Sequence, residues 1–227
     1  MIIVRDMVIY HYNLIPMVRK LFYKIKRRID LYLSGFRGYS LFKNYKIKVE
    51  NDVCIPFPET VIFKGECVIK AYSQIKSSKK SQIILGQNTM ICSFTTIEAA
   101  GGFVKIGDNV TVGEYSTIQG QGGVVIEDNV LLASHVHFIS NHHTYEDITI
   151  PIKNQLNIPS LITIKENTWI GINVTILGGV TIGKNSVIGT GSVVKNSIPD
   201  FCVAVGNPAR VVKKYDIENM KWIKADF

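Results

Sequence analysis

An isoleucine, leucine or valine returns every sixth residue through most of this chain, usually followed by a glycine. The clearest run places the beats at Ile164, Ile170, Ile176, Ile182, Ile188 and Val194, and an earlier run places them at Ile106, Val112, Ile118, Ile126 and Leu132. A fixed period this short belongs to a solenoid of stacked short strands. Strands of an ordinary antiparallel β-protein alternate with period two and are separated by turns of variable length. Phase held across consecutive hexapeptides excludes that arrangement, so the expected class is an all-β solenoid.

Each hexapeptide is one flat side of a coil, and three sides close a triangular turn of about eighteen residues. The aliphatic beat points inward and stacks on its equivalent in the next coil. The small residue after it (Gly107, Gly113, Gly171, Gly183 or Gly189) sits at a corner, where a larger side chain would collide with the coil above. A small or β-branched residue four places after the beat, such as Thr95, Val110, Ser116, Val174, Val180 or Ser192, fills the remaining interior.

The phase slips by a few residues around Ser81, Gly102 and Gly122 and breaks at Thr144–Ser160. A structureless stretch longer than about twelve residues inside a compact domain is usually functional or disordered. The expected organisation is a partly helical extension over 1–60, a hexapeptide solenoid over 61–199 with an excursion loop at 144–160, and a C-terminal segment over 200–227. The end of that segment is read as helical around Ile217–Lys224.

Charge is unevenly placed. Residues 1–50 hold eleven Lys/Arg against three Asp/Glu, which accounts for the whole net charge of +8. Leu14, Val18, Leu21, Ile25 and Ile29 recur at three- and four-residue steps, so 14–33 reads as an amphipathic helix with Arg19, Lys20, Lys24, Lys26, Arg27 and Arg28 on its polar side. Such a helix either caps the open end of the solenoid or makes peripheral contact with an anionic membrane. Nothing beyond it continues a basic track, so nucleic acid is not an expected partner. The apolar N-terminus is broken by Arg5, Asp6 and Pro16, which excludes a spanning helix there. Cys54, Cys67, Cys92 and Cys202 are scattered, without a CxxC pair, which fits a reducing, cytoplasmic setting rather than a disulfide or zinc framework.

Four of the five histidines fall within SHVHFISNHHTYED: His135, His137, His142 and His143, followed by Glu146 and Asp147. Alternation along a wall puts His135 and His137 on one face, and the 142–143 pair where the wall ends. A histidine beside a carboxylate is the minimum equipment of an oriented general base. The alternative of a metal site uses His137 and His142, five apart, as in the solenoid carbonic anhydrases. That family takes a third histidine from two coils upstream, and residues 12–134 contain none. No metal is expected.

The stretch TWIGINVTILGGVTIGKNSVIGTGSVV, followed by IPDFCVAVGNPARVVKKY, resembles the hexapeptide-repeat O-acetyltransferases. Among these it is similar to the maltose and galactoside enzymes and, more closely, to those of bacterial exopolysaccharide and O-antigen assembly. The resemblance covers roughly 85–215. It implies a left-handed parallel β-helix, usually a homotrimer with sites between subunits, using acetyl-CoA. By resemblance, His143 is the catalytic base within an H-x-x-D/E pattern completed by Glu146, with Asp147 beside it and His142 as the alternative base. Relatives that read H-N-H-G-Y-E-D place Asn141 at the first histidine and His143 at the second. Trp169 and the Gly171–Asn173 turn would flank the pantetheine, Thr190 and Gly191 would offer backbone contacts, and Arg210, Lys213 and Lys214 would meet the nucleotide phosphates. The chain departs from the family at Gly113, where an asparagine is common, at Lys195, where a threonine is common in the cofactor-binding stretch, and at Ile172, where relatives have a small residue.

The expected activity is therefore acetyl transfer from acetyl-CoA to a hydroxyl of a sugar or glycan acceptor in cell-surface polysaccharide assembly. The alternatives left open are N-acetylation of an amino sugar and a non-catalytic scaffold.

Overall fold

In the computed structural model of the chain, residues 46–225 are described. The basic segment 14–33 and its capping or membrane role lie outside them.

Three parallel sheets form the walls of a prism of about seven turns. The first wall stacks Lys48–Val49, Cys67–Ile69, Thr89–Ile91, Thr111–Val112, Leu131–Leu132, Trp169–Ile170, Val187–Ile188 and Cys202–Gly206. The second runs from Gln74–Lys76 through Thr96–Glu98, Thr117–Gln119, His137–Ile139 and Thr175–Leu177 to Val193–Val194. The third runs from Val61–Phe63 through Gln82–Leu85, Phe103–Ile106, Val124–Ile126 and Ile162–Ile164 to Thr181–Ile182. This is the expected left-handed parallel β-helix. Coiling starts before residue 61: Lys48 and Val49 already pair with Val68 and Ile69 on the first wall, and Cys54 bridges to Gln74 on the second.

The inward beats stack in register. Ile118, for example, pairs with Ile97 below and with Phe138 above, and Phe138 pairs in turn with Ile176. All six beats from Ile164 to Val194 are buried, as are Thr95, Val110, Ser116, Val174, Val180 and Ser192. The interval between beats stays at six except at one corner, between the second and third walls. There it lengthens to ten between Ile75 and Leu85, nine between Ile97 and Ile106, and eight between Ile118 and Ile126, before reaching 26 between Phe138 and Ile164. Every insertion in the sequence thus falls at the same edge of the prism.

The glycines that follow the beats are needed for space. A Cβ on Gly113 would overlap the backbone of Ala133 and Ser134, and one on Gly183 would overlap Pro199 and Asp200. The bend itself is made two residues later by residues with positive φ. At the corner between the third and first walls these include Asn88, Asn109, Asn129, Asn167 and Asn185, the residue type that enters this region most readily after glycine. The side chains of the first three link upward, Asn88 Nδ2 to Asn109 Oδ1 at 3.2 Å and Asn109 Nδ2 to Asn129 Oδ1 at 3.1 Å. At the corner between the first and second walls Asn173 likewise has positive φ, one coil above a run of four ring-bearing residues that share it, Tyr72, Phe94, Tyr115 and His135. Their rings stack at centroid separations of 4.9, 4.9 and 5.1 Å.

The C-terminal helix expected around Ile217–Lys224 is not formed. Lys221–Lys224 is a strand paired with Lys213–Asp216, which extends the first wall through the strand Ala209–Asp216. Asp216 closes the turn by accepting from both the backbone N–H and the side-chain amide of Asn219. Trp222 packs edge-on against Tyr215 at 5.3 Å. The open strand edge outcompetes an isolated two-turn helix, which is marginal alone.

Burial pushes the Cys67 thiol up to about 11, and burial also raises Cys92 and Cys202. A raised folded value means that the stability these neutral thiols contribute is complete below the unfolded value near 8.5 and is lost as pH rises through the folded one. We expect the melting temperature to fall between pH 9 and 11. At pH 8, a disulfide reagent should modify no more than Cys54 until denaturant is added. Rapid native labelling of Cys67 would contradict its burial.

Candidate active site

The excursion is an arm with a paired stem, not a structureless loop. Asn141–His143 runs antiparallel to Asn157–Pro159, with Asn141 opposite Pro159, His142 opposite Ile158 and His143 opposite Asn157. The stem therefore begins three residues before the 144–160 expected, at Asn141, and the two histidines lie within it.

Its root is clamped to the coil. The Ser160 N–H donates to Ser140 O at 2.7 Å. The Ser140 hydroxyl accepts from the Gly122 N–H at 2.9 Å and donates to Gln119 O at 2.6 Å. A Cβ on Gly122 would strike the backbone of Ser140 and Ser160, so that residue must be glycine for the arm to leave at this angle. A side-chain chain runs alongside: Asn141 Nδ2 donates to Asn157 Oδ1 at 3.0 Å, and Asn157 Nδ2 donates to Gln121 Oε1 at 3.3 Å.

His142 and His143 are both exposed at the foot of the arm. The neighbouring carboxylates are engaged within the arm. Glu146 Oε2 accepts from the Tyr145 N–H at 2.9 Å. Asp147 Oδ1 accepts from the N–H and hydroxyl of Thr149, contacts that hold its carboxyl below the usual range. His135 and His137 have separate duties. His135 ends the aromatic stack on Tyr115. His137 Nδ1 bonds Thr117 Oγ1 at 2.8 Å, and burial, with His135 nearby, lowers its pKa. Among the described residues no group of three or more His, Cys, Asp or Glu is arranged to hold a metal.

Apart from Lys195, the expected cofactor residues lie along the first wall and its corner with the second. Trp169 stands half exposed on the first wall between Leu131 and Val187. The Gly171–Asn173 turn and Thr190–Gly191 stack one above the other at the corner between the first and second walls, tied by Gly191 N–H to Ile172 O at 2.8 Å. Lys195 lies exposed just after the last strand of the second wall. The GNPA motif is the reversal between Cys202–Gly206 and Ala209–Asp216, and Arg210, Lys213 and Lys214 are exposed beyond it. The second wall separates this edge from the arm. Five residues from His135 to Ser140 cross it, a span of about 16 Å at the usual strand rise. One chain brings the Gly171–Asn173 turn and Thr190–Gly191 together on one side of the second wall, and His143 with Asn157 together on the other, where Lys195 also lies.

The family description "Bacterial transferase hexapeptide (six repeats)" matches residues 162–196, and "Hexapeptide repeat of succinyl-transferase" matches 103–134. The galactoside O-acetyltransferase of Escherichia coli K12 is 38% identical over 189 residues, covering 79% of this chain and 91% of that protein. This chain belongs to the hexapeptide-repeat acetyltransferases. Another member, the putative lipopolysaccharide biosynthesis O-acetyl transferase WbbJ of the same organism, is 32% identical and is covered over 93% of its length. The probable acetyltransferase Rv3034c of Mycobacterium tuberculosis is 40% identical over 133 residues, which span 44% of that protein. The fold is shared with AntD, an N-acyltransferase from Bacillus cereus solved with dTDP and 3-hydroxybutyryl-CoA, at a TM-score of 0.60, 23% identity and coverage of 70% of this chain and 85% of that one.

Two features of this hexapeptide-repeat acetyltransferase escaped the sequence reading. Asn157 and Gln121 lie 36 residues apart, and no period links them. The aromatic stack recurs at 22, 21 and 20 residues, which a fixed eighteen-residue coil does not bring into line.

Proposed function

We propose that this protein transfers an acetyl group from acetyl-CoA to a hydroxyl of a sugar or glycan intermediate in cell-surface polysaccharide assembly, with His143 as the general base. The observation that carries this reading is an exposed imidazole held at the foot of an arm that is hydrogen-bonded to the coil on both sides. A sugar hydroxyl is a poor nucleophile near neutral pH, so a base within hydrogen-bond reach is required. His143 takes the hydroxyl proton as the oxygen attacks the thioester carbonyl. Backbone N–H groups at the coil edge stabilise the tetrahedral oxyanion, each worth about 3–4 kcal/mol. Collapse of that intermediate breaks the carbon–sulfur bond, and the imidazolium returns its proton to the CoA thiolate. Trp169, the Gly171–Asn173 turn and Thr190–Gly191 flank the pantetheine. Arg210, Lys213 and Lys214 supply positive charge for the phosphates.

Because the two groups lie on different edges of one chain, the site is completed between subunits, with His143 from one and the cofactor edge from the next. A three-fold assembly of prisms closes three such clefts. Sedimentation should report a trimer, and dilution to monomer should abolish turnover. A monomer active at assay concentration would refute the shared site. The fold shared with an N-acyltransferase supports a second reading, transfer to the amino group of an amino sugar by the same base. A panel of sugars, nucleotide-linked sugars and lipid-linked oligosaccharides assayed with acetyl-CoA distinguishes the two by the acceptor consumed. Absence of CoA release with every acceptor would leave a scaffold role.

A further inference from the structure

We propose that Asn157, rather than Glu146 or Asp147, is the positioning residue for the His143 imidazole. The inference deepens the general-base reading above and rests on it for its functional meaning, though its geometry does not depend on the reaction.

The argument begins with the ladder of the arm. The Thr144 N–H donates to Leu156 O at 2.8 Å, and the Ser160 N–H donates to Ser140 O at 2.7 Å. Hydrogen-bonded pairs alternate with non-bonded pairs along an antiparallel ribbon. The bonded positions are therefore 140, 142 and 144, opposite 160, 158 and 156. The non-bonded positions are Asn141 opposite Pro159 and His143 opposite Asn157. Pro159 supports the assignment, since a residue without an N–H costs nothing at a non-bonded position. Side chains are closest at such positions, with Cα atoms about 4.5 Å apart. The carboxamide of Asn157 is thus the immediate cross-strand neighbour of the His143 ring.

That carboxamide is itself fixed. Its oxygen accepts from Asn141 Nδ2 and its nitrogen donates to Gln121 Oε1. Asn141 shares its face of the strand with His143 by the two-residue alternation. An amide oxygen has two lone pairs, so Asn157 Oδ1 keeps one for a ring N–H of His143 while bonded to Asn141. Gln121 belongs to the corner of the coil below and ties the amide to the prism instead of to the outer end of the arm. The carboxylates of Glu146 and Asp147 lie beyond the stem and bond within the arm, to Tyr145 and Thr149. A neutral orienting group sets the ring's tautomer without adding charge, as asparagine does in Cys-His-Asn proteases. The ionisable side chains of the arm besides His143 are His142, Tyr145, Glu146, Asp147 and Lys153. The corner packed beneath it contributes Gln121, Gly122, Ser140 and Ser160, none of which is charged.

The test is titration of the His143 ring by NMR in the full chain labelled on histidine nitrogen, assigned by loss of the signal in His143→Gln. Asn157→Asp keeps the shape but places a carboxylate beside the ring. It should raise the titration midpoint of His143 by about one pH unit and move the acidic limb of kcat/KM with it. Glu146→Gln should leave that midpoint in place. Asn157→Ala should lower kcat about tenfold with KM for acetyl-CoA within twofold. Gln121→Ala loosens the anchor without touching the ring and controls for a purely structural effect, so it should leave the midpoint in place. An unmoved midpoint in Asn157→Asp, or an equal shift in Glu146→Gln, would overturn the proposal. If no acceptor is turned over at all, the general-base reading fails, while the titration still decides whether Asn157 holds the ring.

Discussion

His143→Ala is expected to lower kcat by about a hundredfold or more, the usual contribution of a positioned general base, while CoA binding is largely kept. The residue lies on the arm, a wall's width from Trp169, Thr190 and Arg210, so its removal leaves the cofactor edge of the coil unaltered. The loss should appear in kcat and kcat/KM alike, as for an interaction made only in the transition state. His142→Ala should be milder, because its ring projects from the opposite face of the same strand. Steady-state kinetics with both variants decide between the neighbours. A larger loss from His142→Ala would move the base by one residue.

Phe138→Ala should destabilise the protein by about 3–5 kcal/mol, the range for truncating a buried phenylalanine. This side chain is the largest of those fully buried, and it is stacked in register between Ile118 and Ile176. Parallel backbone pairing above and below fixes the coil spacing, so the neighbours have little room to close the void. The site also lies two residues before Ser140, whose hydroxyl holds the root of the arm. Loss of turnover at temperatures below unfolding should therefore accompany the drop in denaturation midpoint. A change below about 1 kcal/mol would mean that the interior at this coil relaxes freely.

The prism was legible in the sequence because its interior imposes a demand at every sixth residue that only a few side chains meet. The same run gave the corner glycines, since there the absence of a Cβ is a steric necessity. The residues that bend the corners were not legible. Asn109 and Tyr115 both adopt positive φ, one supported by an amide link and the other by ring stacking. No single residue type marks the position. The arm was legible as an interruption, and the relatives' pattern pointed to His143, but the stem pairing depends on contacts at Ser140, Gly122 and Ser160 that are assembled only when the coils stack. The C-terminal strand was missed for a similar reason: Lys221–Lys224 takes its conformation from the edge it joins, not from its own composition.

The confinement of every insertion to one corner makes the chemistry of this protein separable from its architecture. Registry is carried by the six-residue beats on either side, so the corner between the second and third walls can lengthen by two residues or by twenty without disturbing the stack. The arm is the largest member of a series that already includes the bulges at 77–81, 99–102 and 120–123. A lineage can therefore exchange the arm, with its two histidines and the amide chain at its root, as a module, while the walls on either side stay in place. Under the proposed general-base role of the arm, acceptor preference diverges by replacement of this one edge, with the core unchanged.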